Sequence, residues 1–570
     1  MTGTVHPLSD ESSPEARASC LADLVPTRRR ERISPLSRKP AVANIGDVWH
    51  TAGHRGPGQL VAVDRPADID PTGPTCRPYA GWAALVDEAA AALYAAGVRP
   101  WDRVAILKRN HLDVALLACA AARLGAVPAQ LSGSYGPDVA ATLLARLDRP
   151  FLVTDAEHRA RCGIDPDLVA RLTAGTVSVD DPGDRTDLVP LDSLRGAPPA
   201  PTRLRAGDEP MVVTHTSGTT GIPKLVVHCA DSAYALALVE AERWPLFGLR
   251  KEDRVAFCDP FSHQRMTTGL LAMATVTPTL LALSEPRAAA LGERLARYRP
   301  TVVETLPNVY LRWEALARDT GAFAGVRLYI NSFDAIHTRT IRAFLGASRR
   351  RLPVWVQSWS QSEAGAMVIR PYTRRTVRRR GHRPPPTQVL GWPIPGLCRV
   401  RTVDPDSGRR TRLGEPGLVQ VSQPGRSLGY VGEQPRHDLK RDGDWWNTGD
   451  MGVLSRLGAV RLLDREIDRI DGASGLEIED VLLDRLPETT EVVVLAVAGG
   501  RPVPVYSTAS DQPVDPRRWR RATAGLPALA EPVHIGWDDF PRTGTWKIRR
   551  VELRRRLLRD RAPVGIGRWT

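Results

Sequence analysis

The stretch that most constrains this chain runs from Met211 to Lys224. An apolar segment, Met211-Val212-Val213-Thr214, reads as a buried strand. It passes directly into Thr216-Ser217-Gly218-Thr219-Thr220-Gly221, followed by Pro223 and Lys224. Glycine supplies backbone freedom at positive φ and lets backbone N–H groups approach an anion. The hydroxyls add donors for phosphate oxygens, and Lys224 adds a positive charge. This is not a Walker A loop, because Lys224 is followed by Leu225 rather than Ser or Thr and the glycine spacing differs. The stretch therefore reads as a strand feeding a phosphate cradle of another kind.

The rest of the chain is that of a globular protein. Its 570 residues predict several packed units. With 42% hydrophobic and 25% charged residues, global disorder, collagen and coiled coil are excluded. Seven cysteines lie far apart with no CxxC spacing, which argues against a disulfide framework or zinc ribbon and for a reducing cytoplasm. The net charge is +14, yet only six of the 78 basic residues are lysine. The arginines are spread along the chain without a zinc-finger or RNP-type motif, so a solvated basic surface is expected rather than a nucleic-acid partner. Asp10, Glu11 and Glu15 do not suit a signal peptide. The charge-free stretch Met266 to Ser284 holds five threonines and Pro278, which suits a buried core segment better than a membrane span.

Alternation of helical and extended patterns predicts an α/β fold with largely parallel sheets. Helices are expected at 82–98 and 111–124, and strands at 103–107, 151–154, 211–214, 254–258 and 301–303. Residues 1–45 read as a disordered tail. Residues 46–464 read as a large N-terminal domain of layered sheets flanked by helices. Residues 465–570 read as a small, mobile α+β domain. The Arg/Pro-rich segment 370–386 is expected to be an exposed loop, with β-rich sequence and tight turns after it.

Further motifs follow the loop in order: Trp359-Ser360-Gln361-Ser362-Glu363, Trp446-Asn447-Thr448-Gly449-Asp450, Asp464-Arg465-Glu466-Ile467-Asp468-Arg469-Ile470 and Pro541-Arg542-Thr543-Gly544-Thr545-Trp546-Lys547. Together they resemble the signature set of the adenylate-forming superfamily, which includes acyl- and aryl-CoA ligases, peptide-synthetase adenylation domains and luciferase. The resemblance implies that Thr216, Ser217, Gly218, Thr219, Thr220, Gly221 and Lys224 hold ATP phosphates. It implies that Trp359 stacks on adenine, Ser362 contacts the α-phosphate, and Glu363 binds Mg²⁺. Asp450 and Arg465 would hold the ribose. Lys547 would reach the reacting carboxylate and the α-phosphate. His263, in Asp259-Pro260-Phe261-Ser262-His263-Gln264-Arg265, would contact the substrate, with Arg265 pairing a second acidic group.

The activity so implied is ATP-dependent formation of an acyl-adenylate from a small carboxylic acid, then transfer to a thiol, either coenzyme A or an acyl carrier protein. Three departures bear on this. Ile467 stands where relatives carry Asp or Lys. The hairpin after Asp468 is about four residues short by comparison. Asn331-Ser332-Phe333-Asp334-Ala335 replaces a glycine-rich loop, adding bulk that suggests a small or unusual substrate. No acidic residue is found where amino-acid-activating relatives hold an ammonium. Transfer to an amine, activation of nitrite, and a non-catalytic role stay open as alternatives. Glu477 and Glu479 read as the polar start of a helix over 477–486.

Overall fold

The computed structural model describes residues 21, 44–181, 188–218, 222–241, 244, 247–286, 288–319, 321–378, 388–465, 470, 474–497, 499–543 and 547–558. Two sheets dominate. The smaller carries parallel strands Arg103–Lys108, Val127–Ser132, Phe151–Thr154, Gly175–Ser178 and Pro210–His215, with Leu225–Cys229 antiparallel to the last. The strands 103–108, 127–132 and 210–215 are buried along their whole length. That explains their near-continuous apolar sequence, since a parallel strand is covered on both faces.

The larger sheet carries the parallel strands Leu60–Val63, Thr279–Ala282, Arg254–Cys258, Val302–Thr305, Leu328–Asn331 and Val354–Gln361 in that spatial order. Beyond 354–361 it continues antiparallel through Gly365–Tyr372, Val389–Pro393, Val460–Arg465, Trp445–Leu454, Pro416–Ser422 and Arg399–Val403. Helices Tyr79–Ala95, Asp113–Arg123 and Gln264–Val276 share one apolar core with both sheets. Alanine-rich sequence at 113–122 lets the second of these be buried from Asp113 to Ala122.

The α/β expectation holds, with small shifts in bounds. The first helix starts at Tyr79, behind Pro78, and stops at Ala95 near the positive-φ Gly97. The charge-free segment splits into the helix 264–276 and the strand 279–282, both largely buried. The Arg/Pro loop is corrected at its start. Arg370, Pro371 and Tyr372 end a sheet strand, and Tyr372 and Val377 are buried. Residues 379–387 lie outside the described residues.

Of the expected N-terminal tail, Leu21 is fully buried against the smaller sheet, and the Asn44 side chain caps the 3-10 turn Ile45–Asp47. The other residues before Asn44 lie outside the described residues. Near the C-terminus, Thr489–Leu495, Val503–Thr508 and Val533–His534 form a third sheet. Helices Gly475–Arg485, Pro516–Ala522 and Arg550–Leu558 accompany it. Two apolar clusters of its own hold this part together, one around Leu482 and Trp519, the other around Val505 and Leu553. The six described cysteines are free. No helix among the described residues is long and apolar enough to cross a membrane.

Candidate active site

The ends of strands 302–305, 328–331 and 354–361 converge with the hairpin loop between 210–215 and 225–229 around a cavity of about 220 Å³. Such convergence at strand carboxyl ends is where open α/β sheets bind ligands. His215 pairs with Leu225 across the hairpin, and Thr216 and Lys224 close the loop twice. The Thr216 N–H donates to the Lys224 carbonyl, and the Lys224 N–H donates to Thr216 Oγ1, both at 3.0 Å. Gly218 takes φ +67°, the conformation glycine permits cheaply. Thr216, Ser217, Gly218 and Lys224 line the cavity, while Thr219, Thr220 and Gly221 lie outside the described residues.

Glu363 faces the same space and is 5% exposed. It accepts a 2.5 Å bond from the Tyr430 hydroxyl. Burial opposes its ionisation, but Lys440 and Lys224 together hold it below the usual carboxylate range. Burial, with Lys440 alongside, pulls the Lys224 ammonium down to about 8 against the attraction of Glu363. Lys440 lines the cavity too, and the motif reading missed it. Its signal was present: in a chain with six lysines, a lysine is rarely placed by composition alone. The Ser362 hydroxyl donates to the His215 carbonyl at 3.2 Å, pinning strand 354–361 to the loop hairpin.

Ser358, Ser360 and Ser362 line the cavity, whereas Trp359 does not: its ring packs, partly buried, against the main core. The ladder is irregular between Trp359 and Ser360, and after it Ser360 and Gln361 both border the cavity. Asp450 is buried beside the cavity, and its backbone lies opposite that of Arg465 on the adjoining antiparallel strand. Gln361 ties this strand to the cavity edge. Its amide donates to the Thr448 carbonyl at 2.8 Å, and its oxygen accepts from Trp446 Nε1 at 3.1 Å.

Lys547 arrives from the C-terminal part. Thr543 and Lys547 close a short loop, with Thr543 N–H donating to the Lys547 carbonyl at 2.8 Å, and Lys547 lines the cavity with His263 and Glu363. His263 caps the helix 264–276, its Nδ1 accepting the Arg265 N–H at 3.1 Å. Burial, aided by His215, Lys547 and Arg265, holds it well below the usual histidine range. The imidazole is therefore neutral with its proton on Nε2, a donor rather than a base. Phe333 lies 4.4 Å from the His263 ring and takes φ +75°, a left-handed conformation at a loop position where glycine would be unstrained.

Arg265 is corrected. It does not await an acidic ligand: Nε and Nη2 donate to Glu304 at 2.5 and 2.6 Å, and Nη2 also donates to Glu240 at 2.7 Å. Both glutamates line the cavity, although no carboxylate for an ammonium was found in the sequence. Glu304 had a readable signal as a lone carboxylate in the buried strand Val302–Thr305. Glu240 had a similar one, near the end of the apolar helix Ala230–Ala241. Glu479 is structural, gripped by Arg550 at 2.8 and 2.9 Å and by the Val494 N–H at 2.7 Å.

One carboxylate beside a phosphate-type loop fits Mg²⁺, which takes one or two carboxylates and completes its shell with phosphate oxygens and water. Among the described residues no cluster of three His, Cys, Asp or Glu would cage a metal without those oxygens. The cavity thus combines anion donors, three lysines and a lone metal-grade carboxylate.

A family model described as AMP-binding enzyme matches residues 62–431. The chain is 41% identical over 546 residues to the "3-amino-2-hydroxy-4-methoxybenzoate diazotase" of Streptomyces cremeus, covering 92% of this chain and 97% of that protein. It is 26% identical over 437 residues to the "3-aminoavenalumate diazotase" of a Streptomyces species, covering 74% and 72%. In fold it resembles the anthranilate CoA ligase AuaEII solved with anthranoyl-AMP, with TM-score 0.75, 18% identity, and 90% and 96% of the two chains covered. The chain belongs to the AMP-binding enzyme family, and it is an adenylate-forming enzyme.

Proposed function

We propose that this enzyme uses ATP to activate nitrite and passes the activated nitrogen to an aromatic amine, giving a diazonium product. The observation that carries this reading is the near-full-length similarity to an aminohydroxybenzoate diazotase. Converting an amine to a diazonium group requires a second nitrogen at the oxidation level of nitrite, and nitrite is an oxyanion able to attack phosphorus as a carboxylate does. The small cavity and the bulk of Phe333 favour a compact substrate.

In the first half-reaction a nitrite oxygen attacks the α-phosphorus of ATP and pyrophosphate leaves. The 216–221 loop and Lys224 hold the phosphates, and Ser362 meets the α-phosphate. Asp450 and Arg465 hold the ribose. Lys547 neutralises charge that develops on the α-phosphate, so catalysis is positioning plus electrostatics. His263 donates from Nε2 to the bound oxyanion. Trp359 borders the nucleotide through the strand it sits on rather than through cavity contact. Glu363 would hold Mg²⁺, which when bound would supply charge neutralisation at the phosphates. In the second half-reaction the amine displaces AMP. We place a domain boundary at 465, with the C-terminal part carrying Lys547 away between the two steps.

The test is pyrophosphate release with ATP, Mg²⁺ and nitrite, followed by addition of an aminohydroxybenzoate and trapping of any diazonium with 2-naphthol. Nitrite-dependent pyrophosphate and an azo adduct are expected. Pyrophosphate release that depends on a carboxylic acid and ends in a thioester with coenzyme A, without nitrite, would replace this reading with the thiol-transferring one.

A further inference from the structure

The wall built by helices 230–241 and 264–276 and strand 302–305 holds Glu240 and Glu304 around the Arg265 guanidinium, with Asp259 on the loop before the second helix behind them. They are not equivalent. Glu304 is 3% exposed and both its oxygens accept from Arg265. Asp259 is fully buried, and neither oxygen has a hydrogen-bond partner among the described residues. Burial and the nearby Glu304 push it well above the usual carboxylate range, against the pull of Arg265. Glu240 differs from both. Its side chain is 20% exposed and lines the cavity, and Arg265 engages only Oε2. Its other oxygen accepts no hydrogen bond from the described residues, and the cavity it borders is walled here by Val239, Phe247, Leu249 and Ile330. A flat apolar ring carrying a hydrogen-bond donor complements that wall, while a carboxylate pointed at it is repelled.

We infer that Glu240 is the residue that receives the aromatic amine: its surplus oxygen accepts an amine N–H and takes that proton as the nitrogen–nitrogen bond forms. The inference rests on the diazotase reading and deepens it. An aromatic amine is neutral near pH 7, so it offers two N–H donors and keeps its lone pair for attack. The lone pair forms the bond to the nitrosyl nitrogen. The N–O bond to the phosphate breaks, with its electron pair leaving on AMP. One amine proton passes to Glu240. The resulting nitrosamine, Ar–NH–N=O, tautomerises to Ar–N=N–OH. Glu240 returns its proton to that hydroxyl, which departs as water and leaves the diazonium cation. The carboxylate thus starts and ends ionised, and no other reactant is needed. Burial and the charge of Glu304 raise Glu240 to about 7 in spite of Arg265, which suits a group that must both take and give a proton. Arg265, clamped by Glu304, is a positioning residue for Glu240.

The experiment separates the two half-reactions. Pyrophosphate release with ATP and nitrite reports the first, and diazonium trapped after addition of an aminohydroxybenzoate reports the second. Glu240→Gln is expected to slow diazonium formation by about 10² to 10⁴-fold, while nitrite-dependent pyrophosphate release stays close to that of the parent. Glu240→Asp, which keeps the charge but withdraws it, is expected to slow the amine step by about 10²-fold. If Glu240→Gln is insoluble, Glu240→Asp decides alone. A parental amine step in whichever variant folds overturns the inference while leaving the diazotase reading intact. Equal loss in both half-reactions, with a lowered melting temperature, also overturns it and makes Glu240 a packing residue. A parent enzyme with no nitrite-dependent pyrophosphate removes the diazotase reading itself.

Discussion

Lys224, Lys440 and Lys547, half of all the lysines, line one cavity. Arginine makes up 72 of the 78 basic residues, so these positions select a compact ammonium on a flexible stem over a planar fork. In the proposed reaction Lys547 meets the charge that develops at the α-phosphate. Lys547→Ala is expected to slow nitrite-dependent pyrophosphate release by about 10² to 10³-fold while ATP affinity changes only a few-fold. Single-turnover kinetics and calorimetry check the two halves of that statement, and unchanged adenylation would remove Lys547 from the step. Lys224 makes a different prediction. Its ammonium is held down to about 8, so in the free enzyme it is charged at pH 7 and mostly neutral at pH 9. The charged form binds phosphate, so the Kd for ATP is expected to rise about tenfold between pH 7 and pH 9. Lys224→Arg keeps its charge and is expected to flatten that profile. A parent Kd that stays level across the range would mean Lys224 does not meet the phosphates.

Among the elements, the loop after strand Leu328–Asn331 limits what the cavity accepts. Asn331 is fully buried and accepts the Trp355 indole N–H at 2.7 Å, which fixes the loop base. Phe333 then takes a left-handed backbone, at a cost of about 1 kcal/mol or more for a residue with a Cβ. It presses its ring on His263. Phe333→Gly relieves that strain and removes the ring, so it is expected to admit amines bulkier than those the parent uses, with a lower kcat/KM for the parent's own substrate. An unchanged substrate range in a panel of substituted aminophenols would show that the loop does not set the limit. The elements themselves were legible where period and length agree: strands 151–154 and 254–258 match the reading without adjustment. Segment 370–372 was misread because Arg and Pro mark a loop by composition. Here the arginine lies on a strand and stacks over Tyr372, 4.6 Å from its ring centroid.

For the whole molecule, the motifs point to a nucleotide side of the site because phosphate chemistry demands a local run of residues. Thr216-Ser217-Gly218, Lys224 and Ser362-Glu363 belong to such runs, and the fold brings them to one cavity with Lys547. The substrate side was not legible. Glu240, Arg265 and Glu304 come from two helices and a strand, and only the packing of those elements makes them a cluster. That is why Arg265 read as a ligand for a second acid when the protein supplies the acids itself. We propose that the adenylate formed here carries nitrogen rather than carbon. The most direct measurement is mass spectrometry of the trapped product after turnover with ATP, Mg²⁺, an aminohydroxybenzoate and ¹⁵N-nitrite. An azo adduct heavier by one mass unit is expected, formed only with ATP present and with AMP and pyrophosphate released alongside it. An unlabelled aminobenzoyl-adenylate or its coenzyme A thioester, formed equally well without nitrite, would contradict it.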